Sequence, residues 1–414
     1  MIWLSTTLRL IIYNKMSHDE CILFWSDKND KSDILDGKYF SRIIDPIARI
    51  VNNKGKNHWE IIRGVSDTNK SEIFHSNLIC LDNYINKSHS LNPLKILSII
   101  KKRLGFLDSY LNFDLEKAFG KILNEKKITT VVGIELPIEL ISACKKMGIQ
   151  NFEIAHGYGY SLDKPPSCLR NRIKNSFPSN LIVFDKIAYE NLASSFCEVK
   201  IHFCEHPFLN EIEHWKNKLS QKHKEFLTKI YKSKKRTILC SLNWGYAKDH
   251  PEMRRLDDIL NNGLIHENLL DLIDDTRQEF NWLIRLHPIH IKNKDKYKTH
   301  FELLGKISGK FDNVEWKMAS EIPLLILFNF ISNHVTMRSE TAYDAALFGI
   351  KTTFLCPLIG QEGYYTNLVN CGYASLCELK TDKIYNSLKP LMFENRNSFF
   401  SKHDILSVLN EGWA

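Results

Sequence analysis

The chain has 414 residues, 43% apolar and 25% charged, with 18 Gly and 12 Pro, which excludes a disordered chain, a collagen and a low-complexity linker. At roughly 150 residues per domain this length predicts two or three domains. The net charge of +8 is not gathered into the stripe a nucleic-acid binder needs; its densest run, residues 232–236 (KSKKR), fits an anionic substrate, an anionic membrane surface or a solvated linker.

Residues 2–13 form the first apolar run, but Arg9 interrupts it and it is shorter than the roughly 20 residues of a spanning helix. It has no small-residue cleavage site and is not a secretory signal. It is read as a first strand or a frayed end; a start at Met16 would make residues 1–15 an upstream extension, or a weak amphipathic membrane contact. Strands are then predicted at 21–25, 59–63, 78–81, 129–133, 152–155, 181–184 and 199–204. Helices are predicted at 39–51, 94–112, 115–125, 137–147 and 188–195. A charged helical stretch, 209–234, precedes a second series. Its strands are 236–242, 282–286, 313–316, 333–337 and 351–355, and its helices 266–280, 294–307, 323–330, 339–348 and a tail over 384–409.

Alternation of this kind predicts an α/β protein of two doubly wound, Rossmann-like domains facing across a cleft. The boundaries read 1–206, a helical linker 207–234, a second domain 235–390 and a helical tail 391–414. Ten cysteines include no C-x-x-C pair, and Cys80, Cys240 and Cys356 sit in apolar runs. They read as reduced core residues of a cytoplasmic protein without structural zinc.

Ligands of such folds bind where strands end, so the strand-end motifs carry the chemistry. The first is Glu153-Ile-Ala-His156-Gly157-Tyr-Gly159. His156 suits a general base and Gly157 a close ligand approach. Glu153 and His156 pair only if the strand ends by Ala155; otherwise the offset of three puts them on opposite faces. The second motif is Arg285-Leu-His287-Pro288-Ile-His290. The imidazole of His287 can donate to a phosphate, and Pro288 turns the chain toward a helix. Two further His-Pro pairs, 206–207 and 250–251, make the dipeptide alone a weak signal, and His290 reads as an ordinary loop residue. The third motif is Met337-Arg338-Ser339-Glu340-Thr341, a strand running into a helix: Arg338 is a fixed cation, Ser339 and Thr341 are hydroxyl donors, and Glu340 is either a helix-start carboxylate or a ribose acceptor. Weaker patches follow at Ser241-Leu-Asn243-Trp244-Gly245 and at Gly360-Gln-Glu-Gly-Tyr364.

Together these motifs resemble the bacterial GT-B glycosyltransferases of capsule and lipopolysaccharide synthesis that use CMP-activated acidic sugars, the Kdo transferases and sialyltransferases. The resemblance runs over residues 130–360, on Glu153, His156 and Gly157, on His287 and Pro288, and on Ser339, Glu340 and Thr341. It implies metal-independent transfer of an acidic sugar, with no cofactor beyond the CMP-sugar donor, to a glycan or lipid-linked glycan acceptor. It also implies a cytoplasmic enzyme, peripheral at the inner face of the membrane, with the acceptor on the first domain and the donor on the second. Catalysis would fall to His156 and Glu153, and donor binding to Arg285, His287, Pro288, Arg338, Ser339, Glu340, Thr341 and Gly157. Asn243 stands where a retaining relative would carry a carboxylate nucleophile, and the nearest acid is Asp249. The alternatives are a transferase of another donor (CDP-alditol or UDP-sugar), a UDP-sugar epimerase or hydrolase of the same fold, and an inactive binding subunit.

Overall fold

A computed structural model describes residues 20–35, 37–65, 69–75, 77–85, 109–161, 165–170, 176–243, 259–260, 263–362, 365–389, 405 and 409. Several expectations lie outside them: residues 1–15, most of the helix 94–112, Trp244, Gly245, Asp249, the His-Pro pair 250–251, Gly363, Tyr364 and most of the tail 391–414. The chain divides into two units. The first holds the residues up to Lys31, Lys38–Asn210, and the tail residues Ile405 and Leu409; the second holds Ser32–Gly37 and the residues from Glu211 onward.

The strands are β1 (Cys21–Asp27), β2 (Asp33–Leu35), β3 (Lys38–Phe40), β4 (Asn57–Arg63), β5 (Thr130–Gly133), β6 (Gln150–Ile154), β7 (Asn180–Val183) and β8 (Lys200–Phe203). Six of them form the first unit's parallel sheet, in the order β4-β1-β5-β6-β7-β8. Near-continuous apolar runs such as CILFW suit strands covered on both faces. The helices Ser109–Glu125 and Ile138–Met147 pack on this sheet, burying Trp25, Phe119, Ile122, Val131, Leu140 and Cys144. Helix Ile138–Met147 stops at Gly148, whose φ of 68° is open to glycine at little cost. At the end of β5, Gly133 is pressed against β1. A Cβ there would meet the Trp25 carbonyl oxygen at 2.6 Å, so the two strand ends approach only because the residue has no side chain.

A buried ion cluster ties the loop after β1 to this core. Lys31, with no exposed surface, lies 2.8 Å from both Asp45 and Glu60 and donates to the Phe74 carbonyl oxygen at 2.7 Å. Asp45 also accepts the Ser41 N–H at 2.6 Å, at the entrance to helix Ile44–Asn53. Burial works to lower the Lys31 pKa, but the two carboxylates outweigh it and raise it. Two acids around one ammonium leave a surplus negative charge: burial first, then Glu60, push Asp45 up to about 7 against the pull of Lys31.

The second unit carries β9 (Arg236–Ser241), β10 (Phe280–Arg285), β11 (Val314–Glu315), β12 (Asn333–Thr336), β13 (Thr352–Phe354) and β14 (Ala374–Leu376). They form a parallel sheet in the order β11-β10-β9-β12-β13-β14. Its winding reverses between β9 and β12; in the first unit the reversal falls between β1 and β5. These crossings are where an open α/β sheet leaves room for a ligand.

Several sequence expectations change. Residues 39–40 belong to β3, and the helix predicted from 39 begins at Ile44. Residues 78–81 supply one bridge, Glu60 to Leu78, instead of a strand, and the chain turns at once into the short helix Asp82–Ile85. The stretch 209–234 is two helices, Ile212–Asn217 and Gln221–Lys232, that bury Trp215, Leu227 and Ile230; from Glu211 on it is part of the second unit's packing, which a solvated linker would not be. Strand β14, only three residues long, was not expected. Among the described residues no helix is long and apolar enough to cross a membrane.

Candidate functional site

The crossing of the second sheet brings together the loops that follow β9 and β12. Asn243 leaves β9 and reaches across to Arg338. Its side-chain oxygen accepts the Arg338 N–H at 3.1 Å and its amide donates to the Arg338 carbonyl; the Thr336 hydroxyl, which donates to the Ser241 carbonyl at 2.8 Å, lies 3.2 Å from the same amide oxygen. An amide can satisfy a backbone donor and acceptor at once, which a carboxylate cannot. Asn243 therefore shapes the loop that presents Arg338 and Ser339. Asn243→Ala should lower the stability of the second unit by about 1–2 kcal/mol, because it removes two hydrogen bonds to the Arg338 backbone. A calorimetric melt indistinguishable from wild type would refute this role.

Beyond that clasp, Ser339 is half-buried and Glu340 exposed. The Ser339 hydroxyl oxygen accepts from the Thr341 N–H at 3.3 Å and the Thr341 hydroxyl at 2.9 Å. Helix Thr341–Leu347 follows, with Ala342, Ala345 and Ala346 buried where it meets the sheet.

The His-Pro motif follows β10. His287 precedes helix Pro288–Lys292; its Nδ1 accepts the Ile289 N–H at 3.2 Å, and Pro288 occupies the first turn, where a missing N–H costs nothing. Burial, helped by the charges of Lys292 and Arg285, pushes the His287 pKa down to about 4. At neutral pH the ring is thus uncharged, and with Nδ1 accepting, its proton sits on Nε2 as a donor. Arg285 is placed otherwise than expected of a donor-binding residue. Its buried guanidinium donates to the carbonyl oxygens of Ala319 and Ile322, at 2.5 Å each, and pairs with Asp33 at 3.1 Å. These contacts cap helix Lys317–Glu321.

In the first unit β6 ends at Ile154, early enough for Glu153 and His156 to pair, yet the two turn to different partners. Glu153 is buried near the end of β6 and accepts the Leu136 N–H at 2.8 Å, which fixes the loop after β5. His156 lies past the strand, 58% exposed, with Nδ1 3.7 Å from the Asp30 carboxylate. Asp30 follows β1; its other oxygen accepts the Asp27 N–H at 2.7 Å. Burial raises the Asp30 pKa against the pull of that hydrogen bond and of His156, and the charges of Asp27 and Glu135 raise it further. Glu135, after β5, has a φ of 52°. Asp30, Glu135 and His156 thus gather at the first sheet's crossing. The turn is built firmly: the Gly157 N–H donates to the Tyr160 hydroxyl at 2.8 Å, and the Gly159 N–H to Asp185 at 2.9 Å.

Asp30 and Glu135 are absent from the sequence expectation, although one signal points to each: an acid just past the first strand and another just past β5. Also absent is His334, in β12, which sits behind the Ser339–Thr341 turn.

No protein-family model matches the sequence, and a search of curated proteins finds no match. Solved structures do resemble it. The UDP-GlcNAc 2-epimerase of Methanocaldococcus jannaschii superposes with a TM-score of 0.57 at 12% identity, covering 95% of this chain and 99% of that one. The UDP-GlcNAc 2-epimerase of Neisseria meningitidis bound to UDP-GlcNAc gives 0.54 at 13%, covering 89% and 90%. The H444N variant of the wall teichoic acid polymerase TagF gives 0.54 at 12%, covering 95% and 87%. At such identities the likeness shows the fold: two Rossmann-like domains of the GT-B type.

Proposed function

We propose that the protein is an enzyme acting on a nucleotide sugar, with a UDP-sugar as the substrate that it epimerises or hydrolyses. The observation that carries this reading is the convergence of Arg338, Ser339 and Thr341 on the crossing of the second sheet. There the cation of Arg338 and the hydroxyl of Ser339 suit the phosphates of a nucleotide. His287, uncharged and protonated on Nε2, adds a neutral donor of the kind that stabilises a departing phosphate without holding it once it has left. Proton transfer falls to His156, with Asp30 beside it. Epimerisation removes and returns a proton at carbon, and hydrolysis takes one from water; both need a positioned acid or base, which an imidazole can be. Support comes also from the two UDP-GlcNAc 2-epimerases, which share the fold over nearly their whole length.

A second reading is transfer to a glycan or lipid-linked acceptor, from a CMP-activated acidic sugar or a CDP-alditol. The likeness to a teichoic acid polymerase favours it, at a TM-score equal to that of the Neisseria epimerase. The epimerase reading is preferred because none of these structural neighbours is named for a CMP-linked acidic sugar.

Nucleotide-dependent melting tests both. A nucleotide at about 100 times its Kd stabilises the folded state by about 2.7 kcal/mol. UDP is expected to raise the Tm by several degrees, and UDP-GlcNAc incubated without acceptor to yield the 2-epimer or free sugar. A shift with CMP or CDP alone would favour transfer. No shift with any of the three at millimolar concentration would remove both readings.

A further inference from the structure

His334 is wholly buried in β12, with its ring edge-on to Phe328 at 5.8 Å. Both ring nitrogens are engaged. Nδ1 lies 2.9 Å from the Thr352 hydroxyl of β13, and Nε2 lies 2.9 Å from the Ser241 hydroxyl of β9 and 3.3 Å from the Thr341 hydroxyl. One imidazole thus joins three adjacent strands to the first residue of helix Thr341–Leu347. Burial pushes its pKa down to about 3, so the ring stays neutral and carries one proton.

One placement of that proton satisfies every contact of the ring. The Thr341 hydroxyl has a single hydrogen, donated to Ser339 at 2.9 Å. With Nε2 as the donor, its N–H is shared between the Ser241 hydroxyl at 2.9 Å and the Thr341 hydroxyl at 3.3 Å, and Nδ1 accepts from Thr352. Every proton then points one way along the chain: Thr352 to His334, His334 to Thr341, Thr341 to Ser339. Ser339 receives hydrogen bonds from both the N–H and the hydroxyl of Thr341, so its lone pairs are taken and its own proton is left to donate. A relay of this polarity selects an acceptor-only ligand, which a nucleotide phosphate is.

We propose that His334 is a positioning residue for nucleotide binding, its Nε2–H holding the Thr341 hydroxyl so that the Ser339 proton is presented to a phosphate oxygen. This rests on the reading of the second sheet's crossing as the nucleotide site.

The test measures UDP affinity by calorimetric titration in the full chain, with CMP and CDP alongside. His334→Phe keeps the ring and removes both nitrogens; it should weaken UDP binding about 10–150-fold, the worth of one hydrogen bond to a charged group. Ser339→Ala should cost the same, and the double variant no more than either single one, because both act on one contact. His334→Gln, which returns an N–H near Nε2, should recover most of the loss. Nitrogen-15 NMR of histidine-labelled wild type needs no variant. It should find His334 neutral with the proton on Nε2, and that resonance should shift on adding UDP. Additive losses, or a proton on Nδ1, would overturn the positioning role while leaving the nucleotide site standing. A wild type that binds none of the three nucleotides would take both down together.

Discussion

Lys31→Met should be the most destabilising single substitution in the first unit. Lys31 has no exposed surface and lies 2.8 Å from both Asp45 and Glu60. Removing it leaves two carboxylates in the core without a counter-charge, and breaking a buried pair in this way costs about 3–5 kcal/mol. In a unit of this size that corresponds to a fall of about 10 °C in Tm, read by calorimetry as a shift of the first unit's transition. The cost comes from stranded charge, so removing the charges together should largely abolish it. Lys31→Met/Asp45→Asn/Glu60→Met keeps an acceptor for the Ser41 N–H and should melt close to wild type. A triple variant as unstable as the single one would show that packing, not charge, is the source.

The same cluster predicts a pH dependence with a definite sign. The folded state raises Asp45 from the ordinary carboxylate value to about 7. A raised acid binds its proton more tightly when folded, so its contribution to stability is complete below about pH 4 and lost as pH rises through 7. Asp45→Asn removes that titration while keeping an acceptor for Ser41. Between pH 5 and 8 the wild type should lose stability relative to Asp45→Asn, and the two melting curves should converge as the pH falls.

The fold was largely legible because buried parallel strands write themselves as apolar blocks. CILFW, TTVVG and RTILCSL announce β1, β5 and β9, and short turns locate their ends. Strand order is not written there, yet it decides which loops become neighbours. Asn243 and Arg338 are 95 residues apart and meet only because β9 lies beside β12. Arg285 shows the same limit from the other side. A basic residue at a strand end looks like a ligand group until the carbonyls of Ala319 and Ile322 are seen to occupy it. His334 was hidden for a further reason. Within the strand Asn-His-Val-Thr it looks like a core residue, and its role comes from hydroxyls on two neighbouring strands and a helix start.

His156→Ala should bring the largest loss of activity with the smallest loss of stability. The side chain is 58% exposed and has one charged partner, so its removal leaves the Tm within about 1 °C, as expected for a surface change. Loss of a general acid or base lowers kcat by about 10²–10⁴-fold. Asp30→Asn separates the positioning of the ring from its chemistry. The amide still accepts the Asp27 N–H but removes the carboxylate 3.7 Å from Nδ1, so kcat should fall by less than in His156→Ala. Glu153→Gln is the contrasting case. Its partner is the Leu136 N–H, and a glutamine oxygen can accept that bond, so activity should survive while Glu153→Ala lowers the Tm. If Glu153→Gln abolished turnover and His156→Ala left it intact, the proton-transfer role would pass from the turn to the strand end.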